Sequence, residues 1–403
     1  MSGPFPEDAT VGAPDVADHN GAVAPGKPLT ILQMINADSF TTPARSVRDV
    51  AGAIAAAGGR SLVAASGAAA ARVRAPGSDL TILDTNGGRA KRRAAALLTE
   101  LAQAEGIDVV HVHDPASAEI GEAVAKATGA RFMATFHTPP VSSWRSAFAQ
   151  PAMFQAQQAI AVSESLAQDI TGRHGLTSDR IAVVPRGADM DIYAEEVVSA
   201  HRTIALADAI GLAEDARPVV LTFGRITKTS GHRALVRAVA QGVGADALFL
   251  LIGDDEDSAG AALETEIIAA GLGGTFRRAP PVEDVPAALK LASLVCEVSP
   301  THGGQVLIEA QAMGRPVIAP ATAAAPEVME DGSSGWLFPV GDEGKLAQIL
   351  SDALAMDDSA RAHIGMAGRA RVRARFTLAE TLAATLTVYE TTAGTAFPNR
   401  EYS

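Results

Sequence analysis

The chain is 403 residues long, 47% hydrophobic and 20% charged. That is a globular composition, and the length exceeds one ordinary core and fits two domains of about 150 to 200 residues each. A formal charge of -13 argues against a nucleic-acid partner, because a phosphate backbone needs a net basic surface to displace its counterions.

In chain order, residues 1–28 ("MSGPFPEDATVGAPDVADHNGAVAPGKP") carry acids where a secretory signal has bases and lack a continuous apolar core. They read as a disordered acidic tail. No later apolar run reaches the roughly 20 residues of a membrane span, and the protein is expected in the cytoplasm. From Leu29 short apolar runs alternate with Ala-rich amphipathic stretches, the βαβα pattern of a parallel sheet covered by helices. Residues 29–195 are expected to form a Rossmann-like, doubly wound domain, with strands at "LTILQMI", "RSLVAAS", "LTILD", "IDVVHVH", "RFMATFH", "AIAVS" and "RIAVVP". Helices are expected over Arg45–Ala57, Lys91–Ala104 and Ser163–Arg173. A polar, helix-prone linker, 196–216, leads to a second such domain, 217–375, with strands at "PVVLTFGR", "ALFLLIG", "GTFRRAP", "SLVCEVS" and "RPVIAP". Its cysteine, Cys296, is the only one in the chain and is expected to be a buried, inert thiol. Without CxxC pairs or clustered His and Cys, no metal site is expected. The last segment, 376–403, holds a helix with Leu378, Leu382, Leu386 and Tyr389 on one face and is expected to pack back on the N-terminal domain. The fold expectation is thus α/β, with two sheets whose strand C-termini, where such sheets bind ligands, face each other across a two-substrate cleft.

The stretch "SPTHGGQVLIEAQAMGRPVIAP" carries the chemistry. Gly303 and Gly304 precede a helix whose free amides and positive dipole end suit a phosphate. Glu309 follows one turn in, on the face of Gln305, and its expected neighbour is a sugar hydroxyl hanging from that phosphate. A plain turn followed by a solvated acid stays open for so short a motif. Against it, Val306, Leu307, Ile308, Ala310, Ala312 and Met313 make the helix apolar nearly all round, and a buried acid needs a partner.

This stretch, followed by "APEVMEDGSSGWLFP", resembles the nucleotide-sugar signature of family 4 glycosyltransferases with the GT-B fold. The resemblance continues through "FGRITKTSGHRALVRA", "RIAVVPRGADMDIY", "AIAVSESLAQDI" and "ATFHTPP" and covers nearly the whole chain after residue 28. It is nearest the bacterial cell-envelope branch. The resemblance implies a retaining transfer of sugar from a nucleotide-diphosphate donor to a hydroxyl of a glycan or lipid-linked acceptor, with no obligatory cofactor or metal, in cell-envelope polysaccharide or lipopolysaccharide synthesis. It implies that Glu309, the second acid of the E-x7-E motif, holds the donor ribose. Gly303, Gly304 and the adjoining Gln305 and Val306 are implied at the donor sugar and phosphates. Arg225 in "FGR" matches the base that stabilises the leaving diphosphate, and a strand C-terminus facing the cleft is where a phosphate-clamping arginine belongs. His137 in "TFH" matches a histidine beside the transferred sugar; read from the residues alone, it serves equally as a strand cap.

The pattern also departs from the family. Thr301 stands where the first acid of the E-x7-E motif contacts the donor sugar. Ser230 stands where a lysine precedes the glycine of the R-x4-K-G element, leaving Lys228 two residues early, either to swing in or to remain a surface lysine. Thr41-Thr42-Pro43 replaces a Gly-Gly turn that lets backbone approach the donor phosphates, while Arg45 keeps its place. Each lost stabiliser of developing charge removes on the order of 10² to 10³ in rate. A catalytically impaired, glycosyltransferase-like nucleotide-binding or regulatory subunit is therefore the alternative. Finally, Arg89, Lys91, Arg92 and Arg93 sit where a helix begins, and positive charge there opposes the helix dipole. They are either a solvated basic turn or a peripheral contact for an anionic membrane or lipid-linked acceptor at the inner membrane face.

Overall fold

The computed structural model describes residues 27–36, 42–68, 70–139, 151–244, 246–256, 258–300, 304–322 and 324–400. The expected acidic tail, apart from its last two residues, and Thr41, Thr301 and Gly303 lie outside them.

The N-terminal sheet contains β1 (Thr30–Asn36), β2 (Arg60–Ser66), β3 (Ser78–Ile82), β4 (Val109–Val112), β5 (Arg131–Phe136), β6 (Gln158–Ala161) and β7 (Ile181–Val183). Its order is β3-β2-β1-β4-β5-β6-β7, all parallel, so the direction of winding reverses between β1 and β4. The connecting helices are α1 (Thr42–Ala56), α2 (Gly88–Glu105), α3 (Pro115–Thr128) and α4 (Glu164–His174). Helices on both faces explain why β1 and β4 read as mostly apolar runs without polar alternation: nearly every residue in them is buried, Gln33 and His111 included. Local signals set the helix starts. Asp114 accepts from the Ser117 amide at 3.0 Å ahead of Pro115, and Ser163 from the Leu166 amide at 3.2 Å.

The second sheet contains β8 (Val219–Phe223), β9 (Leu248–Ile252), β10 (Phe276–Ala279), β11 (Leu294–Cys296), β12 (Val317–Pro320) and β13 (Trp336–Phe338). Its order, β10-β9-β8-β11-β12-β13, reverses between β8 and β11. Helices α5 (Ala200–Ala209), α6 (His232–Val239), α7 (Ala259–Ala269), α8 (Val285–Leu291), α9 (Gln305–Ala312), α10 (Ala325–Val328), α11 (Glu343–Ala355) and α12 (Asp358–Arg375) accompany it. Strand β13 has no counterpart in the sequence reading: three residues after "GSSG" are too few to show a period, and pairing with β12 creates the strand. Cys296 is fully buried, and burial pushes its thiol pKa up.

The segment 196–216 is not a free linker. Val198, Ala207 and Leu212, with Ala188 and Tyr193 before them, share a core with Leu250, Val295 and Leu307 of the second domain. By packing, that domain begins near Ala188. The last helix, α13 (Leu378–Ala393), starts at Thr377 in a reciprocal cap with Glu380. Its Leu386 and Tyr389 pack against Leu29, Ile31, Val50 and Ile54 of the first domain. The two chain crossings run side by side: the Ala188 amide donates to Phe376 O at 2.9 Å, and the Leu378 amide to Ala188 O at 2.8 Å. Gly187 permits this approach, since a Cβ there would stand 2.1 Å from Thr377 O.

Candidate functional site

The site lies where the strand C-termini of the two sheets meet. On the second domain, α9 follows the β8/β11 switch point, and its preceding residue, Gly304, has φ 79° and offers no side-chain cap. No side chain among the described residues caps the first amides of α9, and such amides suit an anion. Val306 is half-buried and packs on the domain core.

Glu309 is 2% exposed and has partners from both domains. Gln305 Nε2 donates to Glu309 Oε1 at 2.8 Å and to Gly187 O at 3.2 Å. Arg45, on the first turn of α1, brings Nη2 to 3.0 Å from the same Glu309 oxygen and donates from Nη1 to Tyr193 Oη at 2.8 Å. The solvated-acid alternative is thereby excluded. Burial works against the Arg45 charge, yet Glu309 and Tyr193 together hold its pKa above the ordinary value.

Across the cleft, His111, His113 and His137 are all buried. His111 is spent on structure: Nδ1 lies 2.7 Å from Tyr389 Oη and Nε2 2.7 Å from Thr135 Oγ1. Arg186 Nη2 donates to His137 O at 2.9 Å and stands 3.3 Å from His137 Nδ1. A guanidinium only donates, so Nδ1 accepts and the His137 proton sits on Nε2, 3.4 Å from His113 Nδ1. Both ring nitrogens of His137 therefore face protein partners. The same network puts the His113 proton on Nε2, which is buried without a partner among the described residues, as are Arg186 Nε and Asn36 Oδ1. A water or a hydroxyl-bearing ligand would meet that demand. Burial lowers the His113 pKa to about 3 and holds His111 and His137 well below the ordinary histidine value, neighbouring histidines adding to it in both and Arg186 in the second. Burial, then repulsion from Arg45, brings Arg186 down to about 10 against the pull of Glu309, so it remains charged at neutral pH.

Arg225 follows β8 with its side chain 52% exposed and Nη2 3.7 Å from Asp254 Oδ2. Lys228 is exposed. Ser230 Oγ is committed to its own turn, donating to Thr227 O at 3.1 Å, accepting from the Thr227 amide at 2.9 Å, and lying 2.7 Å from His232 Nδ1. A second cross-domain contact joins Glu327, on α10, to the N-terminus of α4: its two carboxylate oxygens accept from the Glu164 and Ser165 amides, each at 2.8 Å. The basic run lies on the first turns of α2. Arg89, Arg92 and Arg93 are exposed, and Lys91 pairs with Glu119 at 3.0 Å.

Arg186, Tyr193, His113 and Glu327 received no role from sequence. Arg186 and Tyr193 both lie in "VVPRGADMDIY", and the signal available there was an arginine immediately after an apolar strand run. His113 had a similar cue as the second histidine of "VVHVH". Glu327 had no cue, because its partner amides lie in the other domain.

Residues 43–192 match Glycosyltransferase Family 4, and residues 217–356 match Glycosyl transferases group 1. A D-inositol 3-phosphate glycosyltransferase of Xylanimonas cellulosilytica is 31% identical over 73% of this chain and 75% of the relative. Its namesake from Mycolicibacterium smegmatis is 28% identical over 70% of this chain and 67% of the relative. Among solved structures, Anabaena HepE in complex with UDP and glucose superposes with a TM-score of 0.78 at 20% identity, covering 91% of this chain and 100% of that one. A glycosyltransferase from Rickettsia africae gives 0.77 at 20% identity, covering 91% and 99%. Two parallel sheets facing each other across a cleft, with this likeness, define a GT-B glycosyltransferase fold. Within that class, the chain belongs to the group 1 glycosyltransferases of family 4.

Proposed function

We propose that the protein transfers a sugar, with retention of anomeric configuration, from a nucleotide-diphosphate donor to a hydroxyl acceptor in the synthesis of a cell-envelope glycoconjugate. The observation that carries this reading is a carboxylate, Glu309, 2% exposed and one turn behind the uncapped start of α9. That arrangement suits a ribose diol attached to a phosphate that meets the helix amides. Arg225 neutralises the departing diphosphate. In the transfer, the acceptor oxygen bonds to the anomeric carbon as the bond to the β-phosphate oxygen breaks, and the acceptor proton passes to that leaving oxygen. The positive charge that develops at the sugar favours front-face attack beside the departing anion, and domain closure around the donor excludes water. His137, whose ring is held by Arg186 and His113, fixes the wall beside the sugar rather than offering it a free ring nitrogen.

A donor panel of UDP-, GDP- and ADP-sugars, run with and without glycan, lipid-linked and inositol phosphate acceptors, tests this reading. The inositol phosphate arm comes from the activity in the names of the curated relatives. Expected is acceptor-dependent release of one nucleoside diphosphate, with the donor's anomeric configuration kept in the product. Binding without turnover of any donor would support the regulatory-subunit alternative, which the Ser230 hydroxyl, tied into its own turn, favours.

The lipid-linked acceptor arm gains weight from α2. Arg89, Arg93 and Leu97, the last 50% exposed, recur at four-residue spacing and so share a face. Replacing Arg89, Arg92 and Arg93 by serine is expected to remove most sedimentation with vesicles containing anionic lipid, since each base near such a surface contributes about 1 kcal/mol. Unchanged sedimentation would exclude the patch.

A further inference from the structure

Arg45 belongs to α1 of the N-terminal domain, yet its guanidinium ends in the polar cluster of the other domain. It shares one oxygen of Glu309 with Gln305, the first residue of α9, at 3.0 and 2.8 Å. Through that oxygen the guanidinium is joined to the first residue of α9. Arg186 borders the same cluster through its neighbour Gly187, whose carbonyl accepts from Gln305 Nε2 at 3.2 Å. Arg45 pairs with the buried carboxylate of Glu309, the nearby Asp49 is paired with Arg48 at 2.9 Å, and the Arg186 guanidinium adds a further positive charge to the same side of the cleft. Such a charge is costly unless something anionic answers it. Among the described residues of the second domain, Arg225 and Lys228 are exposed at the end of β8, and the Ser230 hydroxyl is spent on its own turn.

We propose that Arg45 is a diphosphate-binding residue of the donor site, supplied by the N-terminal domain and held by Glu309 while no donor is bound. The proposal rests on the donor-site reading above. When the ribose hydroxyls take Glu309, the guanidinium is released to the diphosphate at the head of α9, where its planar fork fits two phosphate oxygens. Because Arg45 rides on one domain and Glu309 on the other, loading the donor and closing the cleft become a single equilibrium.

The test compares the nucleoside diphosphate that binds best, among UDP, GDP and ADP, with its own monophosphate, by calorimetry on the full chain. Both carry the ribose, so any effect of Arg45 on Glu309 cancels in the ratio of their affinities. Arg45→Gln is expected to shrink the diphosphate preference about tenfold or more, the loss of one charge-assisted contact, and Arg45→Lys is expected to restore part of it. A ratio in Arg45→Gln within about twofold of the wild type overturns the proposal. Should Arg45→Gln fail to fold, modification of wild-type Arg45 by phenylglyoxal, followed by peptide mass spectrometry, decides. Stronger protection by the diphosphate than by the monophosphate supports the assignment, and equal protection overturns it. A wild-type protein that binds none of the three nucleotides overturns the donor-site reading and this proposal with it. Nucleotide binding with an unchanged ratio overturns only this proposal.

Discussion

Glu309→Ala is expected to weaken nucleotide binding by more than about 100-fold, because two ribose hydroxyls lose an ionised acceptor and each such contact is worth about 1.5 to 3 kcal/mol. The same change strands Arg45 and Gln305 beside a cavity. Removing one partner of a fully buried ion pair costs about 3 to 5 kcal/mol; with Glu309 2% and the Arg45 side chain 27% exposed, the cost here falls at or below the lower end of that range. A clear fall in melting temperature should therefore accompany the lost affinity. Glu309→Gln separates the two effects. It preserves shape and an acceptor for Gln305, so stability should recover further than nucleotide affinity does. Calorimetric titration and a thermal melt on both variants check this. Full affinity in Glu309→Ala would remove the carboxylate from the donor site.

The second large effect is expected at Arg225, and it should be almost purely kinetic. Its side chain is 52% exposed, with Asp254 at 3.7 Å, so Arg225→Ala should leave the melting temperature nearly unchanged. In turnover, a preorganised cation facing the departing diphosphate is worth on the order of 10² to 10³ in kcat. A fall in kcat with a smaller change in KM is the signature of a contact that strengthens in the transition state. A rise in KM with kcat intact would make Arg225 a binding residue only.

The fold was largely visible in the chain because buried parallel strands announce themselves: "ALFLLIG" is apolar throughout, "LTILQMI" is broken only by Thr30 and Gln33, and "GGQVLIEAQAM" places its acid on an apolar helix. Two features escaped. β13 is too short for a period, and the segment after Ala188 is polar enough to read as a linker although Tyr193, Val198 and Leu212 are buried in the second domain's core. At the site, sequence placed Glu309 and Gln305 on one helix face, a relation fixed by helical spacing within four residues. It did not place Arg45 on Glu309, since that contact spans the two domains and no periodicity encodes it. His137 shows the same limit. Its position at a strand end was readable, whereas the occupation of both its ring nitrogens by Arg186 and His113 depends on three separate strand ends converging.

The central claim is that a nucleotide-diphosphate donor sits with its ribose on Glu309 and its phosphates at the head of α9. A crystal structure of the full chain with its preferred nucleoside diphosphate tests this most directly. The account predicts ribose hydroxyls within about 2.5 to 3.0 Å of the Glu309 carboxylate, with the β-phosphate meeting the first α9 amides and Arg225. A nucleotide bound with its ribose elsewhere, or a cleft left empty at saturating nucleotide, would contradict it.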